Sequence, residues 1–131
     1  MNKEFIPYEQ ALELKELGFD EDCFAIYRPS SVLKFSHLNI SNSEIKKKSK
    51  MSEADAIYEG CVALPLYQQA FRWFREKYGW IGGIRNLDKK NQMIVADFVK
   101  DEDNLFMIWA ENYEDAELKA LKELIKIVKN K

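Results

Sequence analysis

The sequence predicts an α+β fold in which three main helices pack on an antiparallel sheet. Two segments, 65–78 and 113–129, repeat apolar residues at helical spacing. Between them, over 80–110, three runs rich in β-branched and aromatic residues are separated by polar turns, the pattern of a β-meander. The stretch 30–60 is polar and weakly periodic and reads as a long excursion. With 131 residues, 47% hydrophobic and 13% aromatic, the chain has material for one core and reads as a single domain over 1–131.

The first helix is expected over 7–17. Proline suits the first helical turn, where its missing N–H is not needed. Ala11, Leu12, Leu14 and Leu17 give the helix an apolar side. Gly18 fits the left-handed stop position, with Phe19 folding back on Leu14. Cys23-Phe24-Ala25-Ile26-Tyr27 reads as a buried strand ended by Arg28-Pro29. Inside the excursion, Val32, Leu33 and Phe35 suit a short strand, and Ser41 with Glu44 forms a capping box for one helical turn.

The second helix is expected over 65–78. At about 100° per residue, Leu66, Tyr67, Ala70, Phe71, Trp73, Phe74 and Tyr78 fall in an arc of roughly 160°. Gln68, Arg72, Arg75 and Glu76 lie opposite, and Gly79-Trp80 repeats the stop device of Gly18-Phe19. The meander strands are expected over 80–86, 92–99 and 105–110, with Gly82-Gly83 marking a bulge or a close backbone approach. The third helix, over 113–129, is capped by Asn112 and sets Lys119, Lys122, Lys126 and Lys129 opposite its apolar side. Tyr8-Glu9-Gln10-Ala11, Tyr67-Gln68-Gln69-Ala70 and Tyr113-Glu114-Asp115-Ala116 each open a helix, a shared way of starting a packed helix.

Charge and motifs narrow the function. The net charge is only −2, which argues against a dedicated nucleic-acid binder. No apolar run approaches the roughly 18 residues of a membrane span, and the first residues lack a signal-peptide core. Cys23 and Cys61 lie on apolar segments and read as reduced, buried thiols, so a cytoplasmic setting is expected. The one histidine, His37, stands in no triad or zinc pattern. Gly82-Gly83 is not a phosphate loop, and Asp101-Glu102-Asp103-Asn104 lacks the glycine and terminal glutamate of a calcium loop. No catalytic residue, metal ligand or cofactor is expected.

Candidate interaction residues remain. Lys46-Lys47-Lys48-Ser49-Lys50 is a basic tract suited to phosphates or to an acidic protein. On the aromatic second helix, Arg72 and Arg75 lie opposite the apolar arc and Trp73 lies at its margin; such residues often anchor interfaces.

Three stretches also carry a family resemblance. They are Phe5-Ile6-Pro7-Tyr8-Glu9-Gln10-Ala11 running to Asp20, Gln69-Ala70-Phe71-Arg72-Trp73-Phe74-Arg75-Glu76-Lys77-Tyr78, and Tyr113-Glu114-Asp115-Ala116-Glu117 running to Lys129. In order and spacing the chain resembles a group of small uncharacterised proteins common in phages and integrated elements of anaerobic gut bacteria. The resemblance implies a phage or prophage origin and an intracellular setting, and it transfers no site residues. The expected function is therefore a non-enzymatic accessory protein that binds a host or phage protein. The alternative is a nucleic-acid-binding module using the lysine tract 46–50 and the lysines of 113–129. The order helix, three strands, helix resembles that of a double-stranded RNA-binding domain. Such domains usually carry lysines at the start of the last helix, where this chain has Glu114, Asp115 and Glu117.

Overall fold

A computed structural model describes residues 4–28, 31–34, 40–48, 60–88 and 93–130. The architecture is α+β, and the described residues fall into two compact units, one ending at Leu66 and one beginning at Tyr67.

The N-terminal unit begins with α1 (Tyr8–Glu16). Pro7 is its N-cap in extended conformation, so the helix starts one residue later than expected. The stop is the expected one. Gly18 has φ 98°, its N–H donates to the Lys15 carbonyl at 3.1 Å, and the Phe19 N–H donates to the Leu14 carbonyl at 2.9 Å. The strands β1 (Ala25–Arg28), β2 (Ser31–Lys34) and β3 (Val62–Leu64) form an antiparallel sheet in the order β2-β1-β3, and α1 packs on β3. Tyr8 and Tyr27 meet edge-on at 5.0 Å.

Two of these strands match the strands expected at 23–27 and around Val32 and Leu33, whereas β3 was not expected from the sequence. The expected strand 23–27 also shortens at its start: Cys23 makes a single bridge to Ile40, and Phe24 is exposed.

Part of the expected excursion is built into this unit. Residues Asn42–Lys48 form α2, capped by Ser41, whose hydroxyl accepts from the Glu44 N–H at 3.3 Å. Asn42 is buried and fastens α2 at two points. Its amide donates to the Phe19 carbonyl at 2.9 Å, and its carbonyl accepts from the Ala63 N–H of β3 at 2.9 Å. Asp20 adds a bond from the Ser43 N–H at 2.7 Å and a short one from the Ser43 hydroxyl. Polar residues thus enter the core here because their bonds are met. Cys23 and Cys61 are buried and are not joined in a disulfide.

The C-terminal unit is α3 (Tyr67–Tyr78), β4 (Ile81–Asp88), β5 (Met93–Asp101), β6 (Asn104–Ala110) and α4 (Tyr113–Lys129). This is the helix, meander, helix order read from the sequence. The strands lie in the order β4-β5-β6, all antiparallel. The α4 cap is the expected one: Asn112 Oδ1 accepts from the Asp115 N–H at 2.8 Å. Small residues at Ala116 and Ala120, both fully buried, let α4 lie close on the sheet, with Leu121, Leu124 and Ile125 filling the contact. The Gly82 expectation is met as a close approach. A Cβ there would lie 2.0 Å from the Asp97 carbonyl oxygen of β5. Asp101 closes the β5–β6 turn, accepting from the N–H groups of Asp103 and Asn104 at 3.0 Å each.

Two stability measurements follow. Asn42→Ala removes the bonds to the Phe19 carbonyl and the Ala63 N–H and should cost about 1–3 kcal/mol in denaturant unfolding. Phe74 is fully buried, so Phe74→Ala should cost about 3–5 kcal/mol, while exposed Arg72→Ala should change stability by less than about 0.5 kcal/mol.

Candidate interaction face and cleft

The strand register assigns each residue of the meander to one of two faces, because directly paired residues share a side. On the inner face the rows are Gly82, Phe98, Phe106; Ile84, Ala96, Ile108; and Asn86, Ile94, Ala110. These residues are mostly buried or partly buried, and α4 covers them. Phe71 of α3 meets Phe98 at 5.2 Å, Phe98 stacks on Phe106 at 5.4 Å, and Trp80 lies 5.6 Å from Phe106.

On the outer face the rows are Ile81, Val99, Leu105; Gly83, Asp97, Met107; and Arg85, Val95, Trp109. Val95 is fully buried, but Ile81, Val99, Leu105, Met107 and Trp109 are exposed, Leu105 at 61%, Met107 at 51% and Trp109 at 49%. Arg85 and Asp97 pair at 2.8 Å within this apolar surface. Sequence reasoning missed the face, although β6 carried the signal. Leu105-Phe106-Met107-Ile108-Trp109-Ala110 is apolar at every position, and a strand with apolar residues on both sides needs cover on both.

Beside β4 lies a cleft of ≈ 250 Å³. Gln68, Phe71, Arg72 and Arg75 of α3 form one wall, and Tyr113 and Glu117 of α4 contribute another. Residues 80–84 and Phe98 complete it. Trp80 is 2% exposed, and no acceptor among the described residues meets its indole N–H. Leaving such a donor unmet costs about 1–3 kcal/mol. Burial, reinforced by neighbouring Glu114, pushes the Glu117 carboxyl up to about 7. Burial and then the Glu117 charge push Tyr67 up to about 12, and the same two causes raise Tyr113.

The sequence-derived candidates separate. Arg72 and Arg75 are exposed and share the cleft wall. Trp73, expected at the margin, is 6% exposed and packs edge-on to Phe74 at 5.1 Å and Tyr78 at 5.5 Å, with the Lys77 ammonium 5.1 Å over its ring. The broad apolar arc of α3 takes it inside, and it offers no anchor. Lys46 and Lys47 are exposed on α2, Lys48 ends that helix, and Lys50 and His37 lie outside the described residues. The lysines of α4 are all exposed, and Lys119 lies 3.6 Å from Asp115. The basic tract and the α4 lysines belong to different units.

Among the described residues no group of three or more His, Cys, Asp or Glu is placed to hold a metal ion, and no helix is long and apolar enough to cross a membrane. Comparison with family models, characterised proteins and solved structures finds no match for the chain.

Glu117 makes stability depend on pH. Its carboxyl titrates near 4.5 when free and near 7 in the fold. Between these values the folded state holds a proton that the unfolded state has lost, so stability falls as pH rises through the window. Glu117→Gln should be near neutral at pH 4. At pH 8 it should stabilise by about 1 kcal/mol once solvent screening is allowed for, raising Tm by about 4–8 °C.

Proposed function

We propose that this chain is a non-enzymatic binding protein that docks on a host or phage protein through the outer face of β4, β5 and β6. The observation that carries the reading is the exposed set Ile81, Val99, Leu105, Met107 and Trp109, held on one side of one sheet by its register. Contiguous apolar surface on a rigid sheet favours association, because burying it removes it from water at about 25 cal/mol per Å². Tryptophan and methionine are enriched at interfaces, and the Arg85–Asp97 pair adds a polar centre that gives register. The partner surface that fits is apolar, with polar groups facing that pair. The resemblance to phage and prophage proteins supports a host or phage protein as its source.

The nucleic-acid alternative draws on the exposed Lys119, Lys122, Lys126 and Lys129 of α4. The same helix opens with exposed Glu114 and Asp115, which repel phosphate, so the protein-binding reading is favoured.

Paired captures from host lysate with the wild type and Met107→Glu test the reading. The protein retained only by the wild type is then purified and its Kd measured. Met107→Glu should weaken binding by about 100-fold, while Lys122→Glu should leave Kd within about threefold. Equal capture by wild type and Met107→Glu would sink the proposal. So would a wild-type dimer that Met107→Glu turns into a monomer, since a second copy would then be the occupant. RNA or DNA binding that falls steeply with salt would return the nucleic-acid reading.

A further inference from the structure

The meander has two edges, and they differ. Among the described residues β6 pairs with β5 alone, and no residue of 105–110 makes a backbone bond outside that ladder. An antiparallel strand turns every second residue's N–H and C=O away from its neighbour, so about half of these groups on β6 point off the sheet. The side chains show the same open edge. On the inner face Ile94, Ala96 and Phe98 of β5 are buried, whereas their β6 partners Ala110, Ile108 and Phe106 are only half-buried.

Proteins usually guard such an edge with charge, proline or a bulge. β4, at the other edge, is guarded: its ladder shifts register between Asn86 and Asp88, and it carries Gly82-Gly83, Arg85 and Asp88. β6 has no such device over 105–110, where six apolar residues follow one another. The shift in its own ladder lies at the turn, before Leu105.

Charge decides which strand fits. At the turn, exposed Asp101, Glu102 and Asp103 outnumber Lys100. At the far end, exposed Glu111, Glu114 and Asp115 outnumber Lys119. Both ends of β6 are therefore net negative around a neutral middle. A second copy of this chain fits poorly, because antiparallel self-pairing centred on Met107 sets Asp103 opposite Glu111 at both ends. Like charges directly opposite are destabilising.

We propose that the free edge of β6 takes up an extended segment of another protein as a fourth strand, a segment apolar in its middle and carrying lysine or arginine at both ends. Backbone bonds supply the affinity, alternate side chains of the segment continue the two faces of the sheet, and the carboxylates at both ends fix its register. The inference takes from the protein-binding reading only that the partner is a polypeptide. It uses the edge of the sheet and not its outer face.

The probe is a short synthetic peptide, Val-Thr-Val-Thr-Val between pairs of lysines with both termini blocked, titrated into the full nitrogen-15-labelled chain. Binding should be saturable. At about 90% occupancy, hydrogen exchange should slow by about tenfold at alternate amides of 105–110 and not on β4, because exchange then runs through the free fraction. Replacing one threonine and the valine after it by prolines removes an N–H from each edge of the peptide and should weaken binding by about tenfold or more. Replacing the lysines by glutamates should do the same. The double variant Glu102→Lys, Glu111→Lys changes exposed residues and should reverse that order, preferring the glutamate-flanked peptide. No saturable binding, protection of β4 in place of β6, or equal binding of the proline peptide would overturn the proposal. So would a chain that dimerises on its own with the same β6 amides protected. Lysate capture that is lost in Met107→Glu, together with no binding of the lysine-flanked peptide, would keep the outer-face reading and sink this one.

Discussion

The two-residue period of the β-strand governs what the C-terminal unit can hide. Each paired row of β4, β5 and β6 sends its side chains to one side, and the rows alternate strictly from Ile81 to Trp109. One helix, α4, covers one side. Its buried Ala116 and Ala120 bring it near enough to seal Ala96, Phe98 and Ile94 from water. Nothing in this period lets Leu105, Met107 or Trp109 turn inward without expelling Phe106 and Ile108. The exposed apolar face is therefore a consequence of register, and a one-residue slip would exchange the two sides whole.

A second constraint shapes the cleft. The β4 backbone lies so close to β5 at Gly82 that no side chain fits there. The inner face at that row is thus filled by the rings of Phe98 and Phe106, with Phe71 reaching across from α3. Removing one side chain from the row leaves space beside β4, and the aromatic rings give that space flat walls. The helices supply its polar groups. Arg72 and Arg75 stay in water because they lie opposite the apolar arc of α3, and Glu117 occupies the first turns of α4, beside Tyr113 and near Glu114. Rings come from both the sheet and the helices, and charges from the helix surfaces.

The elements with strong local signals were legible. Gly18-Phe19 and Gly79-Trp80 ended helices because only a residue without a Cβ takes a positive φ there readily, and Asn112 and Ser41 capped helices because their side chains reach the unpaired N–H groups. What escaped was set by tertiary partners. Val62-Ala63-Leu64 is too short to announce a strand; it becomes one because β1 lies beside it and Asn42 occupies its outer N–H at Ala63. Asn42 itself is indistinguishable in sequence from a surface asparagine. Helical periodicity placed Arg72 and Arg75 opposite the apolar arc, and both are exposed there. The meeting of Trp80, Gly83 and Glu117 in the cleft was not legible, because it depends on how the meander returns to α4. Trp73 was misplaced because position on a helical wheel gives an angle and no depth.

The exposed apolar face and the cleft also differ in what each can recognise. The face offers broad apolar area with one ion pair, so its energy comes from burial and its selectivity from shape and the placement of Arg85 and Asp97. The cleft offers little area but mixes charged and aromatic groups, Arg72, Arg75 and Glu117 beside Phe71 and Trp80. Both sit on one rigid meander, with Ile81 belonging to the outer row and to the cleft lining at once. A partner resting on the face at Ile81 would therefore touch the margin of the cleft.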